Sequence, residues 1–238
     1  MAKIVIVGGS SEIANAIAKE LMEKDPHFTQ TVRISTTLIT KDSINWDPSE
    51  LSGVQNGVEQ IAVGKGDCIL IALGCLGDLN DFSSPIDKMK CVESMYKVNF
   101  LIPALALTYF NSQLELVGGG RILLLTSTAA FPVLDSNFLY GSSKSALDSL
   151  GRYIQKNNSL GRTRVSIVRS GFVGTKLNSN RKPTPFSQTT EQVAKLVVKN
   201  INKKVIWTPT IFKFVCLSLV YIKPLRNIAD KAFSKSKL

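Results

Sequence analysis

Ile4-Val5-Ile6-Val7 runs straight into Gly8-Gly9 and then into Ser10-Ser11-Glu12. No polar residue breaks the run, so it reads as a strand covered on both faces, the signature of a parallel sheet with helices on either side. Ile13, Ala16, Ile17 and Leu21 then recur at helical spacing, and Asp25-Pro26 ends the helix. A strand, a glycine turn and a helix start form an anion site, because the first helical N–H groups are free and carry partial positive charge. That site suits the pyrophosphate of a dinucleotide, with Gly8, Ser10, Ser11, Glu12 and Ile13 around it. A dinucleotide-binding turn of the form G-x-x-x-G-x-G would place glycines at 8, 12 and 14; here the residues are Gly8, Glu12 and Ala14. Ala14 can still pack closely on the strand, whereas the Glu12 carboxylate must turn away from the phosphates or meet ribose or nicotinamide.

The alternation continues along the chain. Thr31–Ser35 is a second strand and Ser43–Trp46 a third, with almost no room for a helix between them. Val54–Val63 is a weakly amphipathic helix, and Asp67–Leu73 is a fourth, wholly apolar and therefore central strand. It runs into Leu73-Gly74-Cys75, where a glycine lets backbone approach a ligand. Cys91–Phe110 reads as one long helix kinked by Pro103, with Asn99 inside it. Arg121–Ser127 is the fifth strand and Arg164–Arg169 the sixth, separated by a helix that carries Tyr140. A polar segment, Lys176–Thr189, reads as a loop over a site; Gln192–Ile201 is a helix and Lys203–Thr208 a last strand. The expected fold class is α/β: a Rossmann-type, doubly wound parallel sheet in a three-layer α/β/α arrangement. It occupies residues 1–208 as one nucleotide-binding domain, with a substrate loop at 176–190 and a basic, apolar extension at 209–238.

Charge separates these two parts. Residues 1–175 carry 16 Lys and Arg against 16 Asp and Glu, so the whole net charge of +11 falls on residues 176–238, where only Glu191 and Asp230 are acidic. Such a segment suits an anionic partner: a phospholipid surface, a phosphate-bearing substrate, an acidic carrier protein or nucleic acid. The stretch Ile211–Ile222 is strongly apolar but 12 residues long, well short of the roughly 20 that cross a bilayer. It is read as a helix packed on the body or a partner subunit, or as a peripheral helix in a membrane surface. Nucleic acid is disfavoured because no reading module accompanies the basic residues. Four cysteines without a C-x-x-C pair read as reduced thiols of a cytoplasmic protein, and the single histidine, His27, leaves no basis for a metal site.

Tyr140 and Lys144 lie four residues apart on one helix and so face the same way. A fixed ammonium beside a phenol favours the phenolate and lowers a pKa that is otherwise near 10. Ser127 falls at the carboxyl end of a central strand, where ligands of open parallel sheets lie. The second strand ends in Ser35-Thr36-Thr37 instead of the Asp or Glu that would hold a ribose 2′-hydroxyl, which favours NADP(H) over NAD(H), with Arg33 and Lys41 nearby. Asp47 is placed to meet the adenine amino group or to cap a helix before Pro48.

These residues together resemble the short-chain dehydrogenase/reductase family over residues 1–208. The matching segments are VGGSSEIA at 7–14, LGCLGD at 73–78, KVNF at 97–100, LLTSTAA at 124–130, YGSSK at 140–144 and SGFVGT at 170–175. Ser127 precedes Tyr140 by 13 residues and Ser170-Gly171 follows it by 30, the separations usual in that family. The resemblance implies a catalytic set of Asn99, Ser127, Tyr140 and Lys144. Ser127 would polarise a substrate carbonyl and Tyr140 would exchange its proton. Lys144 would acidify the tyrosine and hold the nicotinamide ribose, and Asn99 would order a relay water. Cofactor contacts are implied for Gly8, Ser10, Ser11, Glu12, Ile13, Thr36, Asp47, Leu73, Gly74, Tyr140, Lys144, Gly171, Val173 and Thr175, with Val173 and Thr175 on the carboxamide. A homodimer or homotetramer is implied as well. The departures at Glu12, Leu73-Gly74-Cys75 and Ser170, with the tail beginning VIWTP, are similar to decaprenylphosphoryl-ketoribose reductases and related polysaccharide-pathway reductases. The substrate expected on that basis is a nucleotide- or lipid-linked keto-sugar. The alternatives are a 3-oxoacyl chain on a carrier protein, or a non-catalytic NADP(H)-binding sensor or scaffold.

Overall fold

The computed structural model describes residues 1–35, 43–45, 51–77, 84–158, 160–222, 224–225 and 227–229. Seven parallel strands form one sheet in the order β3-β2-β1-β4-β5-β6-β7: β1 (Ala2–Val7), β2 (Phe28–Ser35), β3 (Ser43–Asn45), β4 (Cys68–Ile71), β5 (Arg121–Ser127), β6 (Arg164–Ser170) and β7 (Val205–Thr208). The helices are α1 (Glu12–Lys24), α2 (Leu51–Glu59), α3 (Pro85–Tyr96), α4 (Ile102–Leu116), α5 (Phe138–Asn157), α6 (Thr190–Lys199) and α7 (Phe212–Tyr221). The strand order reverses direction between β1 and β4, which opens a crevice at their carboxyl ends.

Strand alternation builds the two halves of the core. Along β1, Ile4 and Ile6 join Ile17 and Leu21 of α1 and Val193 and Val197 of α6 on one face. Val5 and Val7 join Leu107 and Phe110 of α4 and Leu147 of α5 on the other. A side-chain period of two sends successive residues to opposite faces, and each face needs its own helical cover. The three-layer α/β/α class read from the sequence is the class found.

Several element boundaries differ from the sequence reading. The helix expected over 54–63 spans Leu51–Glu59. The single helix expected over 91–110 starts six residues earlier, at Pro85, with Ser84 as its cap accepting from the Ile86 N–H. It also widens into a π-helical turn at Lys97–Leu101 before resuming as α4. The cause lies in Pro103: it has no N–H to give the carbonyl of Asn99 four residues back, so the ladder shifts to the next register. Ile102 N–H accordingly donates to the Lys97 carbonyl, five residues back.

Candidate active site

The crevice holds a cavity of about 480 Å³ at the carboxyl ends of β1, β4, β5 and β6. Gly8, Ser10, Ser11, Glu12 and Ile13 line it from the β1–α1 turn, and Leu73 and Gly74 line it from the end of β4. Tyr140 and Lys144 face it from α5, and Gly171, Val173 and Thr175 from beyond β6. Every cofactor position expected from the sequence is on this wall except Thr36 and Asp47, which lie outside the described residues, as does Lys41. Arg33 is not on it. Its Nε donates to Asn15 Oδ1 at 3.0 Å, which ties it to the first turn of α1.

The β1–α1 turn is shaped for a close ligand. Gly8 has φ +95°, and a Cβ there would lie 2.7 Å from the Ala72 carbonyl oxygen. Ser11 caps α1 by accepting from the Ala14 N–H, so the positive end of the helix opens on the cavity. Asn15 Nδ2 donates to the carbonyl oxygens of Gly9 and Ser11 and holds the turn in place. Glu12 takes the first of its two expected courses: Oε2 turns away from the turn and accepts from the Lys176 N–H at 2.7 Å. A carboxylate at this position therefore pins the start of the 176–190 loop to the helix that faces the pyrophosphate site. The loop's far end is pinned too, because Gly174 N–H donates to the Gln188 carbonyl and Gln188 N–H to that of Phe172.

Lys144 is buried (3 % exposed), and its Nζ donates to the Leu73 carbonyl oxygen at 2.6 Å. Desolvation lowers its pKa to about 8, with Cys75 pulling the other way. Gly74 lies against both side chains: a Cβ there would sit 3.4 Å from Nζ and 3.6 Å from Asn99 Oδ1, in ordinary contact. Asn99 is fully buried and clamps the same segment: Oδ1 accepts from the Cys75 N–H at 2.8 Å, and Nδ2 donates to the Cys75 carbonyl at 3.1 Å. Nδ2 also donates to Ser143 Oγ at 3.1 Å, and Ser143 in turn donates to the Tyr140 carbonyl. The side chain expected to order a water is therefore engaged in joining β4, α5 and the π-turn.

Ser127 is buried (7 % exposed) at the end of β5, where its Oγ accepts from the Ala129 N–H at 3.1 Å. The Tyr140 phenol has its pKa raised, by burial first; a hydrogen bond with Ser127 and the charge of Arg181 act against that rise. Lys144 is not among the groups that move it; its ammonium donates to the Leu73 carbonyl oxygen. Arg181, on the 176–190 loop, and Lys176, Leu177 and Asn178, which line the cavity, were not singled out from the sequence. Their only sequence signal was position in a polar loop. Among the described residues no group of three or more His, Cys, Asp or Glu side chains could hold a metal ion.

Residues 2–185 match the family described as short chain dehydrogenase. The chain belongs to that family. An uncharacterised oxidoreductase of Mycobacterium tuberculosis is 25% identical over 236 residues, covering 92% of this chain and 94% of that protein. An uncharacterised oxidoreductase of Streptomyces coelicolor is 24% identical, covering 87% of this chain and 86% of its own. Among solved structures, a short chain dehydrogenase from Burkholderia cenocepacia in complex with NADP has a TM-score of 0.77 at 13% identity, covering 96% and 97% of the two chains. An alcohol dehydrogenase from Thermococcus sibiricus complexed with 5-hydroxy-NADP has a TM-score of 0.67 at 20% identity, covering 87% and 95%. This short-chain dehydrogenase is an NAD(P)-dependent oxidoreductase of a small-molecule substrate. The helix N-terminus, the glycine cradle and the buried lysine all fit a dinucleotide.

Proposed function

We propose that this short-chain dehydrogenase uses NADP(H) to reduce the carbonyl of a keto-sugar borne on a phosphate-linked carrier, in surface-polysaccharide or cell-envelope assembly. The observation that supports it is the convergence of Tyr140, Lys144 and the α1 N-terminus on one cavity, next to a chain segment holding the whole net positive charge. The absence of an acid after Ser35 supports the choice of NADP(H).

A bound nicotinamide supplies the hydride. Ser127 donates a hydrogen bond to the substrate oxygen, where negative charge grows as the carbonyl is reduced. Tyr140, kept protonated by its raised pKa, gives its proton to that oxygen. Lys144 holds the nicotinamide ribose and carries positive charge to the phenolate left behind. Asn99 positions the Leu73–Cys75 segment through its side chain and would order a relay water through its backbone carbonyl. Val173 and Thr175 hold the carboxamide. Exposed apolar residues on α3 and α5, including Met89 and Tyr153, support a dimer or tetramer built on these helices. The outward face of α7 supports a peripheral contact with the inner side of a membrane.

The test is NADPH oxidation by the purified protein against a panel of keto-sugars, with Tyr140→Phe alongside. Expected are turnover with at least one of them, a preference for NADPH over NADH, and a loss of about 10²- to 10⁴-fold in kcat on removing the acid. Equal rates in wild type and Tyr140→Phe would overturn the assignment.

A further inference from the structure

The N-terminus of α1 is an anion site that already holds an anion of the chain's own. Glu12 opens the helix, and its carboxylate stands in the first turn, where a dinucleotide would bring its pyrophosphate. It lines the cavity with Gly8, Ser10 and Ser11. Among the described residues no lysine or arginine forms an ion pair with it. Its Oε2 accepts instead from the Lys176 N–H, a contact across 164 residues of chain. The loop's first turn is otherwise bonded to its own neighbours. Asn178 N–H donates to the Thr175 carbonyl and Arg181 N–H to that of Asn178. Ser179 N–H and Oγ both donate to the Lys176 carbonyl, and Asn178 Nδ2 donates to that of Val173. A turn closed on itself can swing as one piece, and the Glu12 carboxylate ties this one to α1. The same turn brings Lys176, Leu177 and Asn178 to the cavity wall.

We propose that Glu12 is a positioning residue that sets the rate of cofactor exchange through two opposed effects. Its oxygen latches the start of the 176–190 loop onto α1, which slows release. Its charge opposes the pyrophosphate, which speeds release. Like charges at one helix N-terminus repel, by an amount that solvent reduces but does not cancel. A glycine at position 12 would supply neither effect. The proposal rests on the dinucleotide reading of the cavity for the charge, and on the hydrogen bond alone for the latch.

Glu12→Gln separates the two, because its amide oxygen can still accept from Lys176 while the charge is gone. Glu12→Ala loses both. Glu12 is exposed, so neither change touches the core. The latch is read by limited trypsin digestion of the full chain, with cleavage after Arg181 followed by mass spectrometry. Glu12→Ala should be cut about threefold faster or more, as the loss of one hydrogen bond implies, and Glu12→Gln at the wild-type rate. Lys176→Pro removes the donor itself and should match Glu12→Ala. Proline suits the first position of a helical turn, and Thr175 at φ −134°, ψ 167° tolerates it as a successor. Lys176→Ala keeps the N–H and should behave as wild type. The charge is read by the fluorescence of bound NADPH, chased with excess NADP⁺. Release from Glu12→Gln should be slower than from wild type by about threefold or more at low salt. The gap should close as salt screens the carboxylate. Release from Glu12→Ala should be faster than from Glu12→Gln. Equal cleavage of wild type and Glu12→Ala overturns the latch, and release from Glu12→Gln as fast as from wild type overturns the charge effect. If NADPH binds to none of these proteins, the dinucleotide reading fails and takes the charge effect with it, while the digestion still decides the latch.

Discussion

Two titrating residues set the chemistry of the cavity, and burial moves them in opposite senses. The Tyr140 phenol is pushed up and the Lys144 ammonium is pushed down to about 8, because each loses solvation of its charged form. Around neutral pH the tyrosine is therefore an acid with its proton in place, and the lysine is a cation close to losing its own. The sign for Lys144 follows from its lowered value. The folded protein keeps the ammonium below about pH 8 and gives up its proton above that. If the charged form is the active one, kcat/KM for carbonyl reduction should be flat below pH 8 and fall tenfold per unit above it, since kcat/KM reports ionisations of the free enzyme. Lys144→Gln should have a lower plateau and no such limb. A limb of the same position in Lys144→Gln would assign it to another group. Glu12 shows a different residue-level effect, in which a side chain out of place for a phosphate loop serves as the clasp of the neighbouring loop.

At the scale of elements, the site is supported by a buried ion pair behind it. Asp148 of α5 receives a bidentate contact from Arg169 of β6, at 2.8 Å from Nε and 2.6 Å from Nη2. Thr126 of β5 donates to the same carboxylate, and the guanidinium lies 4.7 Å from the Trp207 ring of β7 and 5.4 Å from that of Phe131. Arg152, one turn along α5 and half exposed, adds its Nε at 3.2 Å, so four elements and the loop after Ser127 meet at this carboxylate. Removing one partner strands the other in a dry interior, so Asp148→Ala should cost about 3–5 kcal/mol in chemical denaturation. The double variant Asp148→Leu, Arg169→Met should recover much of that; a single-variant cost below about 1 kcal/mol would mean that the pair is solvated. No sequence signal exposed this contact, because 21 residues separate the two and only the register of α5 on β6 brings them together. The strands were legible for the opposite reason: a wholly apolar run such as Cys68–Ile71 has few other places to go. The start of α3 was missed because its first turn, Pro85-Ile86-Asp87-Lys88, is exposed and lacks apolar periodicity, although Ser84-Pro85 is a cap signal. Asn99 and Pro103 were both singled out, but their link through a π-turn belongs to backbone geometry.

At the scale of the whole molecule, the extension ceases to be an appendage. One side of α7 closes a cavity beside Ser127, while the other leaves Phe214 61% and Tyr221 80% exposed, seven residues apart and so on one face. Lys213 is exposed beside them, and Ile222, Leu225 and Ile228 continue the apolar surface. Among the described residues no helix is long and apolar enough to cross a membrane. A short apolar face next to a strongly basic segment fits a helix lying on an anionic surface, and the proposed peripheral contact draws on both properties. Deleting residues 209–238 would also strip Phe212 from Gly171, so point variants on the outer face are the cleaner probe. Phe214→Glu with Tyr221→Glu should reduce co-sedimentation with phosphatidylglycerol vesicles several-fold. Each change should stay within about 0.5 kcal/mol in stability, because the side chains are exposed. Wild-type binding should weaken as salt rises, since the basic residues act through a screened field. Undiminished sedimentation of the double variant would place the lipid contact elsewhere on the chain or remove it, and would leave α7 with its inward role alone.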